Sequence, residues 1–212
     1  MAPVKLIMAS RSDSRGQLLR EGGYEFDQLL PPFNDPVWPD ETAGDKVETL
    51  AVNLAEKKAL SLLETLDLSL SPQAVILAGD TICIDPAGRL VGQPSDSDHA
   101  RQMIASFVNT SHQVITAVAL VGAGWSNPVK MFDAATVRFG PIGVADIKAY
   151  IVAGDWRGKA GGYNLFERLD HGWPITVDGD PTTVVGLPME KLRPLLAQCG
   201  VLPTAISGMA DQ

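Results

Sequence analysis

The sequence predicts an α/β domain built on a mixed β-sheet, and three observations point there. Apolar, β-rich runs occur at 4–9, 74–79, 81–85, 113–121, 129–139 and 182–187. Helical patterns at 13–21, 45–64, 97–107, 143–153 and 189–198 lie between them, the alternation expected of layers around a buried sheet. Asp85-Pro86-Ala87-Gly88, a turn-type sequence, joins adjacent β runs, so part of the sheet is antiparallel.

The 212 residues suffice for one compact domain, taken as 1–200 with a tail at 201–212 that carries no periodic signal and is expected to fray. No stretch approaches the ~20 apolar residues of a membrane span, and MAPVKLIMAS is too short an apolar run for a secretory signal. Cys83 and Cys199 are the only cysteines and form neither a disulfide framework nor a zinc motif, so a reducing cytoplasm is expected. A net charge of -8 argues against a nucleic-acid coat, since such binding needs many Lys and Arg against phosphates. It leaves room for a small anionic ligand if the cations are concentrated at one place.

The first β run feeds directly into Met8-Ala9-Ser10-Arg11-Ser12-Asp13-Ser14-Arg15. A strand entering a helix whose first turn is rich in hydroxyls and Arg offers backbone N–H groups, a positive dipole end and fork-shaped donors to phosphate. The plain alternative is an N-cap at Ser12 with solvated arginines. Residues 29–44 hold four prolines and read as an ordered loop.

In the helix at 45–64, Val47, Leu50, Ala51, Leu54, Ala55 and Leu62 mark one apolar stripe, and Lys58 falls on it. An inward lysine either snorkels its ammonium to solvent or meets a buried anion. Asp80, in AVILAGDTICID, sits between two apolar strand runs. A carboxylate there is costly unless paired, and at a strand end it is a candidate general base or Mg²⁺ ligand. Asp85 reads as a turn residue. Lys159-Ala160-Gly161-Gly162-Tyr163 is a glycine-rich turn beside a lysine, where backbone can approach a ligand closely, and Gly186-Leu187-Pro188 reads as a strand end. Walker A, GxSxG and HExxH are all absent. His99, His112 and His171 lack metal-ligand spacing, and Gly122-Ala123-Gly124 lacks the third glycine of a dinucleotide fingerprint.

Taken in order, these pieces resemble the Maf family, the septum-formation-inhibitor-like proteins, over roughly 4–198. MASRSDSRGQLL is similar to the family's LASxSxRR opening and leucine-rich helix. Leu54 to Ala59 resembles its LAxxKA helix, Asp80-Thr81 its DT turn, and Gly92-Gln93-Pro94 its GKP. His112 to Thr116 resembles H-x-V-x-T, Lys159 to Tyr163 KAGxY, and Val184 to Pro188 VVGLP. The resemblance implies an elongated mixed sheet flanked by helices, two lobes with a central cleft, and an inosine-triphosphatase-like architecture. It implies Mg²⁺- or Mn²⁺-dependent hydrolysis of nucleoside triphosphates to monophosphate and pyrophosphate, often in a homodimer. Arg15, Lys58 and Lys159 would face phosphates, with Ser12 at the same turn and Gln93 in the place of the GKP lysine. Asp80 would be the catalytic carboxylate and a metal ligand, with Asp35 in the place of a second acidic ligand. Two family cations are replaced, by Ser14 and Gln93. Asn164-Leu165-Phe166-Glu167-Arg168 stands where the dTTP/UTP branch carries a GIQG-like sequence, and LFERL resembles the branch acting on 7-methyl-GTP. KAGGY and the THxV-like features resemble the dTTP/UTP branch, so modified and pyrimidine nucleotides both stay open. A nucleotide-binding regulator of cell division with weak or lost hydrolysis is the alternative, and turnover would separate the two.

Overall fold

Leu6, Ile7, Met8 and Ala9 are all buried, which is what a strand covered on both faces demands of its residues. They form β1 (Leu6–Ala9), the second strand from one edge of the sheet, in a computed structural model that describes residues 4–34, 47–67 and 72–204. There follow α1 (Asp13–Glu21), β2 (Phe26–Leu29), α2 (Val47–Leu63), β3 (Val75–Ile84), β4 (Leu90–Val91) and α3 (Ser97–Phe107). The chain continues through β5 (Ser111–Gly122), β6 (Val129–Phe139), α4 (Val144–Ala153), a 3-10 turn (Ala160–Gly162) and α5 (Leu165–Asp170). It ends with β7 (Ile175–Asp178), α6 (Pro181–Val185) and α7 (Met189–Gln198).

The seven strands form one mixed sheet, ordered β2-β1-β3-β5-β6-β7, with the short β4 added to β3. β1 runs parallel to β2 and β3, and every other pairing is antiparallel. Helix α2 lays its stripe of Val47, Ala51, Ala55, Ala59 and Leu62 on the face carrying Ile7, Ile76, Ala78 and Ile82. The opposite face carries Leu6, Met8, Val75 and Leu77 against Leu18 and Leu19 of α1 and Leu192 and Leu196 of α7. A third cluster, rich in rings, gathers Phe107, Phe139, Tyr150, Trp156, Tyr163 and Trp173 around α3 and α4.

Two expectations are corrected. The runs 74–79 and 81–85 are one continuous strand, so Asp80 stands inside β3 and not at a strand end. The run 182–187 is not a strand. Asp180 caps a helix there, its carboxylate taking the Thr182 N–H at 2.8 Å, Pro181 occupies the first helical turn, and Gly186 closes the far end at φ 120°. These end signals outweigh the β-branched composition. Strands β2 and β7 and helix α5 are four to six residues long, too short for a periodicity to declare them.

The turn at Asp85 is as expected. Its carboxylate is buried, which alone would raise its pKa, but hydrogen bonds from Arg89 and the Ala87 N–H, with the Arg89 charge, hold it below the ordinary range. Within 201–212 the described residues are 201–204: Val201 is buried, and Thr204 donates to Gly23 O through both its N–H and its hydroxyl.

Candidate active site

Strand β3 is paired along its whole length by β5 on one edge. Its other edge is covered by β1 only at Val75–Leu77 and by β4 only at Cys83–Ile84. Between them Ala78 to Ile82 faces a gap in the sheet, and a cleft of about 650 Å³ opens there. Ligand sites of α/β sheets form in such places, where a parallel strand ends and its neighbours part. The walls are Ser10, Arg11, Ser12, Ser14 and Arg15 from the β1–α1 junction, Lys58 from α2, and Asp80 and Thr81 from β3. Gln93 beyond β4, Lys159 and Asn164 before α5, and Val184 and Val185 of α6 complete them.

Asp80 and Thr81, adjacent on a strand, point to opposite faces of the sheet. Asp80 shares its face with Ile76, Ala78 and Ile82 and so meets α2. Lys58 Nζ lies 2.5 Å from Asp80 Oδ1, and the two side chains retain 12% and 11% of their exposure. The ammonium of Lys58 meets the chain's own carboxylate, Asp80, which is the plain structural pairing that a carboxylate among apolar strand runs requires.

Thr81 faces the other way and meets Arg15. The guanidinium donates through Nε to Gly186 O at 2.9 Å, through one terminal nitrogen to Ser10 Oγ at 3.2 Å, and through the other to Thr81 Oγ1 at 2.9 Å. Arg15 is therefore oriented by fixed oxygens and not a solvated cation. Ser12 is the N-cap of α1, its hydroxyl accepting the Arg15 N–H at 3.3 Å, so the plain capping reading of that residue also holds. Arg11 is exposed at the cleft mouth. The glycines on either side of Arg15 allow this fit: a β-carbon on Gly79 would lie 3.2 Å from its Nε, and one on Gly186 3.0 Å.

Lys159 is ion-paired to Glu167 of α5, which offsets part of its charge. Asn164 caps α5 through the Glu167 N–H at 3.3 Å and donates to Ser14 Oγ at 3.0 Å, joining two walls of the cleft. Gln93 is exposed, and no hydrogen-bond partner of its side chain is found among the described residues. Asp35 lies outside the described residues. Asp80, Ser12, Arg15, Lys58, Gln93 and Lys159 thus all line one cleft. The reading of single motifs passed over Ser10, Thr81, Asn164 and Glu167. Ser10 and Thr81 had a signal, since each neighbours a singled-out residue. Asn164 had its cap position before a short helix, and Glu167 had none.

Next to the cleft, His112 is buried, stacked on Phe107 with ring centroids 4.0 Å apart, and its Nε2 is 2.8 Å from Tyr163 Oη. Its Nδ1 has no hydrogen-bond partner among the described residues. Burial lowers its pKa to about 4, so the ring is neutral at pH 7.

Among the described residues no group of three or more His, Cys, Asp or Glu is placed to hold a metal, and no helix is long and apolar enough to cross a membrane. Asp80 is the acidic side chain among the described residues lining the cleft.

A family model described as Maf-like protein matches residues 5–199. The dTTP/UTP pyrophosphatase of Salinibacter ruber is 33% identical over 187 residues, covering 88% of this chain and 87% of that protein. The dTTP/UTP pyrophosphatase of Chelativorans sp. is 34% identical over 200 residues, covering 94% and 93%, and that of Colwellia psychrerythraea 32% over 197, covering 92% and 89%. Among solved structures, the Staphylococcus aureus Ham1 protein covers 64% of this chain and 71% of its own at 13% identity, with a TM-score of 0.37.

Proposed function

Since the chain belongs to the Maf-like protein family, we propose that it hydrolyses nucleoside triphosphates to monophosphate and pyrophosphate, with dTTP and UTP as the first substrates to test. The observation that carries this reading is the convergence of Arg11, Arg15, Lys58 and Lys159 with a nearly buried carboxylate, Asp80, in one cleft of about 650 Å³. The dTTP/UTP pyrophosphatases to which the chain is similar support the choice of base.

The chemistry follows from the residues. A triphosphate brings about four negative charges, and the first turn of α1 offers unsatisfied N–H groups and the positive end of its dipole. Arg15 arrives already oriented, so little order is lost when it meets a phosphate oxygen. Asp80 holds the attacking water on the α-phosphorus side as general base, and Lys58 keeps that carboxylate in place and adds positive charge. Lys159 steadies the leaving pyrophosphate.

A divalent cation, Mg²⁺ or Mn²⁺, belongs to this proposal. Such ions at phosphate sites use one or two carboxylates and complete their shell with substrate oxygens and water, so a cleft with a single described carboxylate fits. Asp80 would hold the ion, with Asp35 as the second ligand. The ion would neutralise charge as phosphoryl oxygens develop it.

The free cysteines, Cys83 buried and Cys199 partly so, support a reducing, cytoplasmic setting. Assembly as a homodimer rests on the family resemblance and is read directly by light scattering.

The test is product analysis with dTTP, UTP, the other common triphosphates and 7-methyl-GTP, each with Mg²⁺ and with Mn²⁺. Monophosphate and pyrophosphate in equal amounts are expected. Nucleoside diphosphate and orthophosphate as main products, or tight binding with no turnover on any substrate, would overturn the reading.

A further inference from the structure

We propose that Thr116, which never reaches the cleft, is a positioning residue for Arg15, acting through Thr81 along a hydrogen-bond chain of fixed direction.

One rung of the sheet runs Thr81 in β3, Thr116 in β5 and Asp133 in β6, each in register with the next. Thr116 and Thr183 are both fully buried. Thr116 Oγ1 lies 3.0 Å from Thr81 Oγ1 and 2.7 Å from the backbone carbonyl of Thr183. A carbonyl can only accept, so the single Thr116 hydroxyl proton goes to Thr183 O. Thr116 must then accept from Thr81, whose own proton is thereby spent. Thr81 Oγ1 is left with acceptor capacity alone toward the cleft, and it accepts from Arg15, 2.9 Å away. Every donor in the series Arg15, Thr81, Thr116 thus points away from the cleft. Thr81 is locked as an acceptor, the only role in which it can hold a guanidinium, and chained hydroxyls polarise one another in that sense.

The series also closes on itself. Its far end, Thr183 O, and the second anchor of Arg15, Gly186 O, both belong to the end of α6, where helix carbonyls lack partners of their own. Thr183 is held in turn by its hydroxyl, which donates to Asp133 Oδ2 at 2.6 Å. Thr116 therefore fixes the polarity of Thr81 and holds one carbonyl of the α6 end, Thr183 O. A hydroxyl is needed at 116, and a methyl in its place cannot do either.

The test uses Thr116→Val and Thr116→Ser in the full chain. The Arg15 Nε–H resonance, assigned by its loss in Arg15→Lys, reports the guanidinium without reference to turnover. Its exchange with solvent is expected to speed up at least tenfold in Thr116→Val and to stay at the wild-type rate in Thr116→Ser. The kinetic arm rests on the proposed pyrophosphatase activity: kcat/KM for dTTP falls about tenfold in Thr116→Val and returns to within twofold in Thr116→Ser. Wild-type exchange in Thr116→Val, or a serine variant as impaired as the valine one, overturns the proposal, even if melting temperature drops. Should the wild type release no pyrophosphate while the Arg15 signal still responds, the activity fails and the positioning stands. If Thr116→Val does not fold, Thr116→Ala removes the same hydroxyl without a β-branch and carries the same expectations.

Discussion

Lys58 Nζ stands 2.5 Å from Asp80 Oδ1 with about nine-tenths of each side chain out of solvent, so the two charges are energetically coupled. Lys58→Met keeps the aliphatic bulk but strands the carboxylate. We expect it to cost stability on the order of 2 kcal/mol, less than for a fully buried pair. Lys58→Met with Asp80→Asn should cost less than the two singles summed, by about 1 kcal/mol or more. Denaturant unfolding of the four proteins measures this; strict additivity would mean that the pair is not coupled.

Asp80→Asn should lower kcat about 10²-fold or more if the carboxylate is the general base. The swap is nearly isosteric and leaves Lys58 an amide oxygen to bond, so the fold survives. Circular dichroism paired with steady-state kinetics checks both halves, and wild-type turnover would take Asp80 out of the mechanism.

Gln93→Lys should raise kcat/KM about tenfold, a transition-state gain of about 1.4 kcal/mol. Gln93 is exposed at the cleft, and Lys159 is partly offset by Glu167, so the cleft is short of positive charge for a triphosphate. The gain should shrink as salt rises. A fall on every triphosphate would refute the under-neutralised cleft.

Gly186→Ala combines a φ of 120° that an alanine resists with a β-carbon 3.0 Å from Arg15 Nε. Backbone strain of this kind costs about 1–3 kcal/mol. Part of it should appear as a displaced Arg15 and a raised KM. Thermal melts and dTTP kinetics on the same preparation test this, and an unchanged KM would separate Gly186 from the site.

His112 is expected to make the fold lose stability toward acid pH. Its folded pKa of about 4 lies below the ordinary 6.5, so between those values the unfolded chain binds more protons and stability rises with pH. It is complete above about 6.5 and lost by about 4, for a total of about 3.5 kcal/mol at ~1.4 kcal/mol per unit. The carboxylates of Asp85 and Asp133 are held low, so their contributions are lost only below about 3.8. Unfolding free energy measured from pH 4 to 7 should show the slope in the wild type and a much flatter one in His112→Gln.

The long elements were legible because their patterns are local. Helices at 13–21, 97–107 and 189–198 match α1, α3 and α7 residue for residue, and the run 129–139 is β6. The inward position of Lys58 was also legible, since 3.6-residue periodicity puts it on the stripe of Leu54 and Ala55. The helix at 181–185 was misjudged because its valines and threonines favour strands while its cap residues, which decide it, act through geometry.

By itself the sequence determined an α/β chain with a mixed sheet, an acidic surface, and motifs that resemble one family from end to end. It also determined that Lys58 faces inward and that Asp80 needs a partner. Only the tertiary structure decided that these two are each other's partner, 22 residues apart in the chain. Nor could spacing reveal that Arg15 is seated by Thr81 and Gly186, 66 and 171 residues away. Periodicity specifies which face a side chain takes, because the backbone geometry of one element repeats along itself. Which residue meets that face depends on strand order and register, and these are set by burial summed over the whole sheet.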